Sequence, residues 1–443
     1  MNEERVILFC GHMCDEPFVY SKDDDYGKTM MSWFTMLAPE IRAGPSSSGI
    51  LSPSSGILSS ASSSSPLRKR KRNTPTLSPF AVLTLPRTTF FTAVGTSIFI
   101  FHDGVNKILT FKNSGNGDWK LAPRMKHPRK YPHIIVVDGK LYVIGGLKYP
   151  IGGLKYPLLA FIEVFDPDIG TWESLPNPPF MNPLYQPREM VIALLKNRYI
   201  LVTSYTDSLF YIYQIFSRIW SPAPPVPNLS KVDFHLAPHK IKSVSVDDMM
   251  YRISFDHVYY PSKHLVIQAF KLSLDQWFEG CLNVGSEIFG ECNEVLEDEY
   301  PCCGLIHLAD QKFCLLLQSS YTEDGNGNGD FDRRRSTNFK RHSASSSYLY
   351  SVVLEVSPIL DKPMDLEGFM GLNIVVLSTE KYRLVRPLVI QDAMLVDITF
   401  HPSNMLALRC NESLLKEFGM ARPSKAECDE LLRQHAKRIM NLG

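Results

Sequence analysis

Three times in this sequence an aromatic residue stands seven positions before a tryptophan: Phe165 and Trp172, Tyr213 and Trp220, Phe270 and Trp277. Phe111 and Trp119 make a fourth copy with one extra residue, and Pro123, Pro176 and Pro224 each follow their tryptophan by four. The copies recur about every 50 residues. A period of that length is the mark of a repeat architecture, in which each copy is one supersecondary unit that cannot bury its apolar faces alone. The pattern constrains the fold tightly and leaves the activity open.

The clearest unit runs from residue 130 to 180. His133 to Val137 and Lys140 to Ile144 are β-rich runs flanking Asp138-Gly139, a pair that accepts the positive φ values of a two-residue hairpin turn. Gly145-Gly146 follows, and two residues without Cβ let the backbone of one unit approach the next. Phe161 to Phe165 make a third strand, Asp166 to Gly170 a turn, and Thr171 to Leu175 a fourth strand whose Trp172 is placed to cover the seam between units. These residues resemble a kelch repeat. The resemblance implies an all-β propeller of the galactose oxidase/kelch superfamily, with Gly145, Gly146, Phe165, Trp119, Trp172, Trp220 and Trp277 as its structural signature.

Extending the register outward gives blades at residues 80 to 125, 130 to 180, 189 to 225 and 240 to 280. A fifth uses Gly304 to Leu308, Phe313 to Leu317, Tyr348 to Leu354 and an outer strand at Asn373 to Ser378. Trp33 precedes Trp119 by 86 residues, and removing the 35-residue stretch 44–78 leaves 51. A further blade is therefore expected from Val6 to Gly11, Pro17 to Tyr20 and Ser32 to Met36, with 44–78 as a loop leading to the next blade. Leu388 to Ile390 and Met394 to Ile398 supply its missing strand, which closes the ring and leaves no open edge. Six blades are expected over residues 1–402; seven is the alternative if 372 to 402 form a blade of their own. A short C-terminal helix is expected within 403–443, from the capping-box form of Ser424 to Glu427 and the helical spacing of Leu431, Leu432, His435, Ile439 and Met440.

A length of 443 residues with 44% hydrophobic and 11% aromatic content is that of a globular chain with a substantial core. Its net charge of +1 gives no overall pull toward nucleic acid or anionic membrane. No cationic leader precedes an apolar run long enough to span a bilayer, and nine scattered cysteines lack the pattern of a disulfide framework. The expectation is an intracellular protein, nuclear or cytoplasmic or both.

Residues 44–78 are serine-rich and too polar to offset chain entropy by burial, so they are expected to be disordered. They contain Arg68-Lys69-Arg70-Lys71-Arg72. Five adjacent cations read either as a solvated charge run or as a nuclear localisation signal. Ser52, Ser65, Thr74 and Ser78 precede prolines and fit proline-directed phosphorylation. A second flexible loop is expected over 320–346. Its Asp324 to Asp332 places oxygen side chains at alternate positions, but Arg335 stands where an EF-hand requires a bidentate Glu. The bland reading, a Gly/Asn-rich connection, is preferred to a hairpin calcium loop ending at Asp332. The tandem heptapeptides 144–150 and 151–157 lengthen one loop and carry Tyr149 and Tyr156.

No nucleophile elbow, phosphate loop, zinc-protease helix or paired Cys-x-x-Cys occurs. Cys10, His12 and Cys14 lack an evident fourth ligand, and a small buried thiol in a strand needs no metal to explain it. The Glu-x-x-x-Asp-x-x-x-His iron motif of plant kelch proteins is also absent. No catalytic residue and no cofactor is assigned. The reading is a non-catalytic interaction scaffold with protein partners, without an F-box ahead of the propeller, presenting clients to a separate ubiquitin ligase. The alternative is a sugar-processing type of enzyme using the mouth of the central channel.

Overall fold

A computed structural model describes residues 5–13, 28–39, 74–79, 81–86, 89–95, 97–102, 107–112, 119–129, 132–146, 160–180, 190–204, 209–223, 243–255, 264–289, 294–296, 302–321, 346–361, 363–365, 368–384 and 388–397. The Arg68–Arg72 run, the expected strand at Pro17 to Tyr20, Asp324 to Asp332, most of the duplicated heptapeptide and the C-terminal helix lie outside them.

In chain order, β1 (Arg5–Met13) and β2 (Lys28–Leu37) pair antiparallel, and after the two-residue β3 (Thr76–Leu77) comes β4 (Ala81–Pro86), which pairs with β2. Then follow three antiparallel four-stranded blades: β5 (Thr89–Val94) to β8 (Trp119–Ala122), through β6 (Ser97–His102) and β7 (Ile108–Lys112); β9 (His133–Val137) to β12 (Thr171–Ser174), through β10 (Lys140–Ile144) and β11 (Ile162–Asp166); and β13 (Met190–Leu195) to β16 (Ile219–Pro222), through β14 (Tyr199–Ser204) and β15 (Leu209–Gln214). The fifth blade is β17 (Val244–Val246), β18 (Met249–Phe255), β19 (His264–Lys271) and β20 (Gln276–Asn283), followed by a π-helical turn at Gly285–Phe289 and by β21 (Glu294–Leu296). The sixth is β22 (Cys302–Ala309), β23 (Lys312–Tyr321), β24 (Ser346–Pro358) and β25 (Met370–Leu384). Finally β26 (Leu388–Asp397) returns to pair antiparallel with β1.

The first strands of the blades touch in a cycle: β5 with β9, β9 with β13, β13 with β17, β17 with β22, β22 with β26, and β26 with β5. The hydrophobic side chains divide the same way, into six clusters that each join two neighbouring blades. Along β10, Leu141 and Val143 pack toward the preceding blade while Tyr142 and Ile144 pack toward the next. Such strands are buried on both faces, so their sequence reads as a continuous apolar run instead of an alternation. Among the described residues six seams for six blades close the ring, and the seven-blade alternative is corrected: β25 is the outer strand of the sixth blade and β26 the inner strand of the terminal one.

The terminal blade differs from expectation in one respect. Ser32 to Met36 belong to β2, the third strand of the order β26-β1-β2-β4, and the outer strand is β4, beyond the insertion. The insertion therefore interrupts a blade, whereas the sequence reading put it between two, and the next blade begins at Thr89 instead of near residue 80. Trp33 sits opposite Cys10 and Ala81, fully buried, with its ring 4.8 Å from Phe91 of the following blade. The 51 residues left between Trp33 and Trp119 once 44–78 are subtracted are therefore a coincidence of phase. Part of the serine-rich stretch is also ordered: Thr76–Leu77 pairs in parallel with Arg383–Leu384, where Arg383 donates its amide to Pro75 O at 2.9 Å.

The fifth and sixth blades share a two-residue parallel contact, Phe278 with Met370 and Glu279 with Gly371. Gly280 permits it, because a Cβ there would lie 2.8 Å from Leu372 Cβ and 2.9 Å from Leu372 O.

Candidate interaction surface

Each seven-residue spacing is a cross-strand pair. Phe165 faces Trp172, Tyr213 faces Trp220, and Phe270 faces Trp277 across the last hairpin of their blades, with ring centroids 5.0, 4.9 and 5.0 Å apart. Phe111 and Trp119 do the same at 5.1 Å. The residue five positions after the aromatic takes a left-handed conformation in the first three: Gly170, Arg218 and Asp275, with φ of 73°, 59° and 56°. All four named tryptophans thus occupy equivalent places on outer strands.

The prolines explain themselves at the same seams. Trp172 Nε1 donates to Pro123 O at 2.9 Å, and Trp220 Nε1 donates to Pro176 O at 2.9 Å. Each indole bonds the carbonyl four residues beyond the tryptophan of the preceding blade. Trp277 is 2% exposed and keeps the same packing against Phe270; Pro224, four residues beyond Trp220, lies outside the described residues.

Gly145 and Gly146 have φ of 61° and 84°. A Cβ on Gly145 would lie 2.3 Å from Met190 Cε of the next blade. Around this turn stands a group that the spacing patterns did not disclose. Arg129, fully buried, donates from Nη1 to Gly145 O at 2.6 Å and Phe161 O at 3.1 Å, and from Nη2 to Ala160 O at 2.7 Å. Its Nε and Nη2 bond Glu163 Oε2 at 3.2 and 3.0 Å, while Lys126 N donates to Glu163 Oε1 at 3.1 Å. Burial pushes the guanidinium pKa down, and the Glu163 charge and hydrogen bonds pull it back up. The ion pair satisfies carbonyls that the glycine turn leaves inside the protein, where an unpaired acceptor costs about 1–3 kcal/mol. The one signal for it was Glu163 itself, a carboxylate in the otherwise apolar run Phe161 to Phe165. A second buried polar row crosses the fifth blade: Arg252 Nη2 donates to Gln268 Oε1, and Gln268 Nε2 donates to Glu279 Oε2 at 2.6 Å.

The two ends of the ring differ. On one lie the short turns joining first to second and third to fourth strands, among them Asp138-Gly139, Lys196-Asn197 and Leu272 to Asp275. The connections between second and third strands join strand ends at the opposite face, including those spanning 145–161 and 322–345. At the turn face, exposed ion pairs link strands and blades: Lys140 with Asp166 at 2.8 Å, and Arg218 with Glu173 of the preceding blade at 2.5 and 3.1 Å. A cavity of about 680 Å³ opens at the seam of the fourth and fifth blades, lined by the polar side chains of Lys196, Arg198 and Gln214 and by Tyr199, Ile212 and Leu272.

Among the described residues no group of three or more His, Cys, Asp or Glu side chains is placed to hold a metal. Cys10 is buried and in no disulfide; Cys14 and the side chain of His12 lie outside the described set. No described helix is long and apolar enough to cross a membrane.

The kelch motif family matches residues 128–179, the blade that holds Arg129, Gly145, Glu163 and Trp172. An F-box/kelch-repeat protein of Arabidopsis thaliana is 43% identical over 60 residues, a match that spans 14% of this chain and 14% of the relative's own length. The solved structure of YjhT is similar at 11% identity, covering 69% of this chain and 97% of its own, with a TM-score of 0.38. With a kelch motif matched in one blade, the tryptophan register repeated in its neighbours and four-stranded antiparallel sheets arranged around a ring, the chain folds as a β-propeller that carries a kelch repeat at residues 128–179.

Proposed function

We propose that the protein is a non-catalytic scaffold that binds other proteins through one or both ends of its ring. Kelch repeats generally mediate protein–protein interaction. The supporting observation is the division of labour in the fold: the strands are committed to packing blade against blade, which leaves the connections free to vary and carry recognition. Its partners include clients presented to a separate ubiquitin ligase, a reading suggested by the F-box/kelch-repeat relative. Affinity capture of the full chain from its source cells, with cross-linking, tests both levels. Reproducible stoichiometric partners support the scaffold, and ligase subunits with client ubiquitination that depends on this chain support the adaptor. A chain that recovers no reproducible partner contradicts the scaffold.

The run Arg68 to Arg72 is assigned to nuclear import on the same footing, because five adjacent cations form the point-charge array that an import receptor reads.

A further inference from the structure

We propose that the cavity between the fourth and fifth blades is an oxyanion-binding subsite, which receives a phosphorylated or carboxylate-bearing side chain of a protein partner. The proposal rests on the scaffold reading for the nature of the partner, and on the cavity alone for its chemistry.

The site is built from two turns 75 residues apart. The left-handed pair Lys196-Asn197 closes the β13–β14 hairpin, and Lys196 donates its amide to Asp247 O in the turn of the next blade. Leu272, which donates its amide to Asp248 O at 2.9 Å, brings the β19–β20 turn against the same opening. The first bond ties the two blades together at the rim, and the second fixes the β19–β20 turn to the β17–β18 turn within the fifth blade.

Its polar lining is rich in donors. The Arg198 guanidinium is exposed and makes no hydrogen bond or ion pair among the described residues. Gln214 accepts from Ser217 Oγ through its carbonyl at 3.0 Å, which fixes the amide orientation and leaves the Nε2 hydrogens for a ligand. Ser221 donates to Ile212 O at 3.4 Å. The nearby carboxylate, Asp248, stands behind the rim. Partial burial alone would raise its pKa, yet the Ser273 hydroxyl and amide, with Lys271 and Lys196, hold it below the usual range. Its charge is therefore answered within the protein, with Lys196 Nζ only 3.9 Å away, and Arg198 remains the unanswered cation.

A fork of free guanidinium donors on Arg198, with the Gln214 amide on the same lining, suits the charge and shape of a carboxylate or phosphoryl group. The apolar atoms of Tyr199, Ile212 and Leu272 in the same lining suit the body of the side chain that carries it. At about 680 Å³ the space lies within the range of small-ligand sites.

The experiment titrates the full-length protein with phenyl phosphate, phenylacetate and neutral benzyl alcohol, followed by calorimetry and by NMR of the arginine side chains. One or both anions should saturate the wild type and bind more weakly as salt is raised. Arg198→Glu should weaken that binding by at least about tenfold, since it replaces a charge-assisted donor by a repelling charge. Lys120→Glu, at an exposed position on the second blade, should leave it unchanged. The tighter anion tells a phosphorylated partner from a carboxylate one. Failure of both anions to bind, equal binding of benzyl alcohol, or equal loss in the Lys120 variant overturns the proposal. Because no partner protein is involved, anion binding without any captured partner would count against the scaffold reading alone.

Discussion

The indole N–H of Trp220 donates to the carbonyl of Pro176 at 2.9 Å, and Pro176 follows Trp172, whose own indole bonds Pro123 in the same way. The same bond thus crosses two successive seams, and there it accounts for both the tryptophan and the proline four residues beyond its predecessor. The proline lacks an N–H and fixes φ near −65°, so it ends the outer strand at a defined angle and presents its carbonyl to the next indole.

Two substitutions separate packing from that bond. Trp277→Ala empties a buried site and should cost about 3–5 kcal/mol. Trp220→Phe keeps most of the ring and loses the donor, so about 0.5–1.5 kcal/mol is expected. Chemical denaturation read by far-ultraviolet circular dichroism gives both values, and a larger loss for Trp220→Phe than for Trp277→Ala would contradict the assignment.

The Arg129–Glu163 pair makes a sharper case. Glu163→Gln or Arg129→Met leaves one buried partner uncompensated, and each should cost about 3–5 kcal/mol. The double variant should cost less than the sum of the two, which a double-mutant cycle measures. Strict additivity would mean that the side chains do not act as a pair.

Cysteine chemistry should follow burial. Burial raises the Cys314 thiol to about 11, against a bond from the Ser351 side that lowers it, while Cys281 is exposed. With the folded pKa above the unfolded one, the contribution of Cys314 to stability is complete below pH ~8.5 and is lost as pH rises toward 11. Native-state alkylation at neutral pH should label Cys281 rapidly and spare Cys314 and Cys10. Rapid labelling of Cys314 would place it outside the core.

Replacing Arg68 to Arg72 by alanine should shift a fluorescent fusion too large for passive diffusion toward the cytoplasm, with no change in its melting curve. Unaltered distribution would reduce the run to a solvated cluster of charge.

What the sequence disclosed was local. Phe165 and Trp172 are seven residues apart and face each other across one hairpin, so chain spacing reports contact directly, and the blades from residue 130 to 280 followed from it. Trp33 misled because β2 and its partner β4 are separated by the insertion, and a residue count cannot tell a third strand from a fourth. Arg129 and Glu163 are 34 residues apart, one of them in coil, where no periodicity exists to reveal a pairing. The cavity between the fourth and fifth blades was invisible for the same reason: Lys196 and Leu272 belong to different blades, and only the packing of one blade on the next brings their turns together.

That closure is the central claim, and hydrogen exchange measured by mass spectrometry on the full-length chain tests it directly. Because β26 and β2 flank β1 on both sides, the amides of Arg5–Met13 should exchange as slowly as those of Lys140–Ile144, and a chain ending at residue 385 should lose that protection while exposing an aggregation-prone edge. Fast exchange of Arg5–Met13 in the intact protein, or slow exchange that survives removal of β26, would contradict a ring closed by both ends of the chain.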